Sequence, residues 1–145
     1  MSSQSNTVSW HDRAQSLQPR TQAFIGGRYV DSMSGATFAR VNPATGKPLA
    51  QVAAGDTRDI DAAVAAARAA FESGSWSKQA PAARKRVLQR FAELILSNHE
   101  ELALLETLDT GKPIRDSLSV DIPAAARCIQ WYAEAFDKIY DDTRE

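Results

Sequence analysis

Leu105-Glu106-Thr107-Leu108-Asp109-Thr110-Gly111-Lys112-Pro113 is the stretch on which the reading of this chain turns. It closes a helix. Leu102, Leu105 and Leu108 make one apolar stripe, Gly111 is the residue expected just past the end, and Pro113 follows closely. Asp109 is the residue that does not belong in such a helix end. The carbonyl end of a helix carries partial negative charge, so an acid there is unfavourable unless a cation lies beside it. The other carboxylates of the segment could do acid–base work together with it. Yet Glu100 is explained by a capping box over Ser97-Asn98-His99-Glu100, and Glu101 by the positive end of the helix dipole.

Working outward, the chain divides into two textures. Upstream of this helix, Ile60, Val64, Ala67 and Phe71 mark one face of a helix capped by Asp56 or Thr57 and stopped at Gly74. Pro81 opens a second helix to about Leu96, with Val87, Leu88, Phe91, Leu94 and Ile95 as its stripe. Downstream, a last helix is expected from about Ser119 to Tyr140. Ile122, Ala126, Ile129, Ala133, Phe136 and Tyr140 line one side of it, and Pro123 is tolerable because it falls near the start. Before Asp56 the signals are those of strands. Ala23-Phe24-Ile25 and Tyr29-Val30 flank the glycine pair Gly26-Gly27, a tight turn. Thr37 to Val41 and Leu49 to Ala53 are β-prone, and Asn42-Pro43-Ala44-Thr45-Gly46 between them is turn chemistry. Residues 1–21 read as a loosely held arm with a short helix around Trp10 to Leu17.

Composition narrows the class. The chain has 145 residues and a net charge of −1, which argues against a dedicated nucleic-acid binder or a polybasic membrane anchor. No run approaches the length of a transmembrane helix, and the start lacks the apolar core of a secretory signal, so a cytoplasmic protein is expected. One cysteine, Cys128, excludes an internal disulfide framework, and two histidines are too few for an ordinary Cys/His zinc site. Alanine fills 25 positions, so helices can pack closely but the core must lean on a few large residues.

The chemistry-bearing residues mostly resolve into structure. Thr45-Gly46-Lys47-Pro48 and Thr110-Gly111-Lys112-Pro113 share a Gly-Lys pair, but proline follows where a P-loop needs Ser or Thr, so both read as turns. Arg84-Lys85-Arg86 with Arg90 reads as the solvated face of a helix. Cys128 has no histidine near it in sequence and is expected buried or half-buried on the last helix. His11 and His99 read as surface or cap residues. By residues alone there is no complete active site.

The chain nevertheless resembles a known family. Phe24-Ile25-Gly26-Gly27 with Tyr29, then Val41-Asn42-Pro43-Ala44-Thr45-Gly46, resembles the start of an aldehyde dehydrogenase. Asp59-Ile60-Asp61-Ala62-Ala63-Val64 is similar to the family's first long helix. The opening stretch, Leu105 to Pro113, is its most specific string here, and Trp131-Tyr132-Ala133 with Asp137-Lys138 is similar to the helix that follows. The early arm with Trp10, Asp12 and Ala14, and Ile122-Pro123-Ala124-Ala125-Ala126-Arg127, resemble the branch acting on aminoaldehydes such as γ-glutamyl-γ-aminobutyraldehyde or 4-guanidinobutyraldehyde.

The resemblance implies an α/β protein of which this chain is the N-terminal piece. A hairpin and short-strand layer and about four helices of the cofactor-binding domain (22–145) would be present, without the parallel sheet. Family enzymes are about three times this long, as several domains require. Their catalytic cysteine, general-base glutamate and cofactor loop have no counterpart here, and Cys128 does not match the nucleophile's motif. The whole enzyme would oxidise an aldehyde to its acid with NAD or NADP, as a homo-oligomer. The resemblance also implies a monovalent cation, K⁺ or Na⁺, held by main-chain oxygens of Arg40 and Val41 and by Asp109. It places Ala124 beside the substrate tunnel. The rival readings are a non-catalytic helical interaction module and a truncated product without function.

Overall fold

The computed structural model describes residues 9–138. Tyr140, expected in the last helix, and the first eight residues of the arm lie outside them. The short arm helix forms as α1 (Trp10–Ser16), capped by Ser9.

Two antiparallel hairpins follow, each a sheet of its own. β1 (Ala23–Ile25) pairs with β2 (Arg28–Val30), with Ala23 opposite Val30. Gly26 and Gly27 turn the chain with φ of 60° and 80°. A two-residue hairpin turn of this hand needs positive φ at both positions, which glycine adopts without steric cost. β3 (Thr37–Val41) pairs with β4 (Pro48–Ala53), with an irregularity between Arg40 and Val41. Asn42 builds the connection: its Oδ1 accepts the Ala44 N–H at 2.9 Å and its carbonyl accepts the Gly46 N–H at 2.8 Å. Among the described residues there is no parallel sheet, in keeping with the expected fold class.

α2 (Thr57–Ser73) starts at Asp56 and ends at Gly74, which turns left-handed at φ 69°. Asp56 accepts the Arg58 N–H at 2.8 Å, and Asp59 reaches back to accept the Asp56 N–H at 2.9 Å. Asp56 also accepts the N–H of Asp59, so the two residues exchange the reciprocal bonds of a capping box. Asp59 also accepts the Met33 N–H at 3.0 Å and is buried, so it pins the β2–β3 loop to the helix start.

α3 (Pro81–Ser97) and α4 (His99–Thr110) break at Asn98, as expected, but the capping box does not form. Asn98 holds φ −110° and ψ 20° rather than an extended conformation. Its Nδ2 therefore points back and donates to the Leu94 carbonyl at 2.8 Å, closing α3 instead of opening α4. Glu100, released from capping, pairs with Arg13 of α1 at 2.7 Å.

The final helical run begins earlier than expected. α5 (Ile114–Asp116) leads through a π-helical turn (Ser117–Asp121) into α6 (Ile122–Ala135). In the wide turn the Ile122 N–H bonds to the Ser117 carbonyl, five residues back. The widening carries the chain past Pro123, whose ring would otherwise press on the carbonyl of Ser119.

The core lies where α3, α4 and α6 meet. Ala92, Ala103, Leu104, Ala126 and Ala133 are buried, and Ser117 is sealed against Thr107 with their hydroxyls 3.1 Å apart. Small side chains let α3 and α6 approach closely, and Ala92 of α3 and Ala126 and Ala133 of α6 are fully buried. The large residues of two expected stripes are not inside. Ile60, Val64 and Phe71 of α2 and Val87, Phe91 and Leu94 of α3 are exposed, Phe71 by 67%. Exposed apolar side chains grouped on neighbouring helices mark a surface that contacts something else.

The basic segment of α3 is only partly a solvated face. Arg86 and Arg90 are exposed. Arg84 instead lies over the Phe136 ring, 4.7 Å from its centroid. Lys85 donates to Glu134 at 2.7 Å and to Asp137 at 2.9 Å, joining α3 to the end of α6. The bond from Lys85 holds Glu134 and Asp137 below their ordinary carboxylate values, and the bond to Glu134 raises Lys85. The carboxylate share is complete above the ordinary carboxylate range and is lost as pH falls through the lowered values. The lysine share is complete below its ordinary value and is lost as pH rises through the raised one. The expected result, in the full-length protein, is a melting-temperature gap between wild type and Lys85→Met that is flat from about pH 6 to 9 and closes only as pH falls below the ordinary carboxylate range. A gap that widens on acidification would overturn this account.

Candidate functional site

Two turns far apart in the sequence, at Pro43 and at Gly111, meet in space. Gly111, just past α4, lies on Pro43 of the β3–β4 turn. A Cβ at Gly111 would come within 3.1 Å of Pro43 Cγ, and its φ is 75°. Both the close approach and the left-handed backbone therefore demand glycine there. This contact brings the C-terminal end of α4 against the end of β3.

Arg40 occupies the single half-buried position of β3. Its Nε donates to Asp109 Oδ1, forming an ion pair across 69 residues of sequence. The Arg40 side chain is 15% exposed and the Asp109 side chain 51%. Arg40 Nη2 is buried, with no acceptor among the described residues. The acid that the helix dipole disfavours thus has its positive partner in the chain itself. With Asp109 half exposed, such a pair contributes only about 0–1 kcal/mol, on top of a dipole relief of similar size. An open cleft beside the pair is lined by Gln18, Arg20, Gln22, Glu101 and Leu105.

The resemblance implies a monovalent cation at Arg40, Val41 and Asp109. Oxygen donors of this kind suit a hard cation. The guanidinium on Asp109 opposes one. Two unit positive charges about 4 Å apart repel by about 4 kcal/mol at an effective dielectric constant near 20. Among the described residues no group of three or more His, Cys, Asp or Glu side chains gathers as a metal site.

The second Thr-Gly-Lys-Pro is a turn, as expected. Lys112 folds onto the π-helical turn and donates to Asp121 at 2.6 Å, and that bond raises its pKa. Thr45 to Pro48 likewise forms the turn into β4.

Ala124 is half-buried near the start of α6. Its neighbour Ala125, with Phe91, Leu94, Leu102 and Ile122, lines a separate open apolar groove. Ala124 does not line the cleft beside Asp109.

Cys128 differs from expectation, being exposed. At 100° per residue it stands about 200° around α6 from buried Ala126, so the inward face of Ala126, Ile129 and Ala133 turns it outward. His11 and His99 are exposed, and His99 Nδ1 lies 3.0 Å from the Leu96 carbonyl at a helix end.

Sequence reasoning missed the Arg40–Asp109 pair and the buried role of Asp59. The unexplained acid at the end of α4 was the signal for the first. For the second it was an Asp three residues after a helix cap. No helix among the described residues is long and apolar enough to cross a membrane.

Comparison with known proteins gives one consistent answer. The family model described as "Aldehyde dehydrogenase family" matches residues 29–145. The NADP/NAD-dependent aldehyde dehydrogenase PuuC of Escherichia coli (strain K12) is 54% identical over 92% of this chain and 27% of its own length. The aminoacetaldehyde dehydrogenase of Pseudomonas aeruginosa is 50% identical over 90% of this chain and 26% of its own. Among solved structures, the indole-3-acetaldehyde dehydrogenase AldA of P. syringae, complexed with NAD⁺, superposes with a TM-score of 0.90 at 53% identity. It covers 94% of this chain, and the match spans 28% of that chain. The γ-glutamyl-γ-aminobutyraldehyde dehydrogenase of Burkholderia cenocepacia gives 0.89 at 47% identity, with the same coverage of 94% and 28%. The chain thus spans about a quarter of the length of the curated relatives it matches.

Proposed function

The chain belongs to the aldehyde dehydrogenase family, and from that premise we propose that it is the N-terminal portion of an NAD- or NADP-dependent enzyme oxidising an aminoaldehyde to its carboxylic acid. The observation that supports the reading best is the run of motifs from Tyr29 onward. The family model matches residues 29–145 without a break in their order, within a fold that superposes on an NAD⁺-complexed relative. The aminoaldehyde branch is supported by relatives whose names carry that substrate class.

In the overall reaction an aldehyde, water and NAD(P)⁺ give the acid, NAD(P)H and a proton. The dinucleotide, when bound, accepts the hydride that leaves the aldehyde carbon. This chain's share is support. Asp59 fixes the start of α2, the Gly111–Pro43 contact fixes α4 on the hairpin, and the bare stripes of α2 and α3 offer a surface for further layers. Ala124 is the residue we place beside the substrate, where a small side chain leaves room for a long aminoaldehyde. The same reading has the whole enzyme acting as a homo-oligomer in the cytoplasm.

The test is a substrate panel with the full-length enzyme. γ-Glutamyl-γ-aminobutyraldehyde and 4-guanidinobutyraldehyde are expected to exceed acetaldehyde in kcat/KM by at least roughly tenfold, the scale of a few specific pocket contacts. Equal values across the panel would sink the aminoaldehyde reading and leave the family assignment standing.

A further inference from the structure

We propose that the Arg40 guanidinium is the built-in cation of the junction between β3 and α4. It takes the place of a monovalent metal ion at Asp109, so that the junction holds without K⁺ or Na⁺. The inference rests on the family reading above, because it concerns the cation that reading implies.

The placement argues for it in three ways. Asp109 sits in the last turn of α4, where the helix's own carbonyls already concentrate negative charge, so some positive group must meet it. Arg40 is that group: it projects from the half-buried position of β3, and its Nε contacts Asp109 Oδ1. The irregularity in the β3–β4 ladder falls immediately after Arg40, between it and Val41. Such bulges re-aim a side chain, here at the site where the main-chain oxygens of Arg40 and Val41 would otherwise face an ion.

The guanidinium is also held, not solvated. Its side chain is 15% exposed and Nη2 is buried. A fixed, desolvated positive charge repels a second cation more strongly than a mobile surface lysine would. The other charges near the pair are Arg20 and Glu101, both lining the same cleft. Arg20 is stacked over the Tyr29 ring, 4.7 Å from its centroid, and among the described residues Arg40 is the cation bonded to Asp109. The guanidinium is fixed to the chain, so the neutralisation does not depend on the ionic composition of the medium.

The experiment uses the full-length enzyme and reads melting temperature, not turnover, in KCl, NaCl and choline chloride at equal ionic strength. The wild type is expected to melt at the same temperature in all three. Arg40→Met is expected to melt lower in choline and to regain several degrees in KCl or NaCl, because the vacated carboxylate then accepts a free ion. Arg40→Lys keeps the charge and is expected to stay indifferent to the salt, so it decides the matter if Arg40→Met fails to fold. A wild type that gains several degrees in K⁺ or Na⁺ over choline overturns the proposal. So does an Arg40→Met protein that is indifferent to all three salts, or an Arg40→Lys protein that depends on them. A failed aldehyde oxidation reading would show itself separately, as absent NAD(P)H production by a protein whose salt response is unchanged.

Discussion

A purified polypeptide of these 145 residues, mixed with NAD⁺ and an aldehyde, is expected to yield no NADH above the blank. Aldehyde oxidation by covalent catalysis needs an activated thiolate, a base for the deacylating water and a held dinucleotide. The only thiol here is Cys128. It stands on the exposed side of α6 with Arg127 beside it in sequence, while His11 lies on α1 and His99 is turned to a helix-end carbonyl. Among the described residues no base is hydrogen-bonded to it. Nor is there a phosphate cradle among the described residues. The positive-φ glycines sit in hairpin and loop turns or at helix C-terminal ends, whereas phosphates are cradled at helix N-termini. The companion measurement is Cys128→Ser in the full-length enzyme. Its kcat/KM is expected within about twofold of wild type, the usual effect of a surface change. NADH from the isolated chain, or a large loss in the variant, would return Cys128 to the catalytic candidates.

Much of the architecture was legible, and the reasons are local. Gly26-Gly27 admits few turns other than the one found, and the Asp56–Asp59 spacing encodes its own capping box. The periods of α2, α3 and α4 are long enough to read. What escaped depends on partners distant in sequence or on competition between neighbours. The Ser97-Asn98-His99-Glu100 pattern satisfies the capping-box template, yet Asn98 gives its side chain to Leu94 of the preceding helix. A template that scores one helix start cannot see that another helix ends at the same residue. Pro123 was placed near the start of the last helix and stands there in α6, but the helical run continues upstream of it through a π-helical turn. Arg84 and Lys85 looked solvated because their partners, Phe136, Glu134 and Asp137, lie 52 residues on, more or less. The candidate site shows the same division. Asp109 was identifiable as an acid needing a cation, because that follows from the helix dipole alone. The identity of the cation did not follow, since Arg40 meets Asp109 only after the hairpin has folded onto α4 through the Gly111–Pro43 contact.

Replacing Asp59 with alanine is expected to destabilise the full-length protein by about 3 kcal/mol. The residue is a short carboxylate at 5% exposure, a place where an acid survives only if it is fully bonded. Its firm donors are two main-chain groups: the Asp56 N–H at 2.9 Å and the Met33 N–H at 3.0 Å. The Ser32 hydroxyl lies 3.5 Å away, but its one proton goes to the Ala54 carbonyl at 2.7 Å, so it adds little. Alanine strands both N–H groups in a part-buried site, and each stranded donor costs about 1–3 kcal/mol. It also removes half of the capping box that starts α2. Asn in the same place keeps the volume and one acceptor oxygen but turns an NH₂ toward one of the two donors. It is therefore expected to recover only part of the loss. Asp56→Ala provides the contrast, since its carboxylate is more exposed and its cap bond is replaceable by water, for a cost of about 1 kcal/mol. The order expected in urea or thermal unfolding is Asp59→Ala worst, Asp59→Asn between, and Asp56→Ala mildest. If Asp59→Ala and Asp56→Ala proved equal, the clamp from the β2–β3 loop to α2 would contribute nothing beyond an ordinary helix cap.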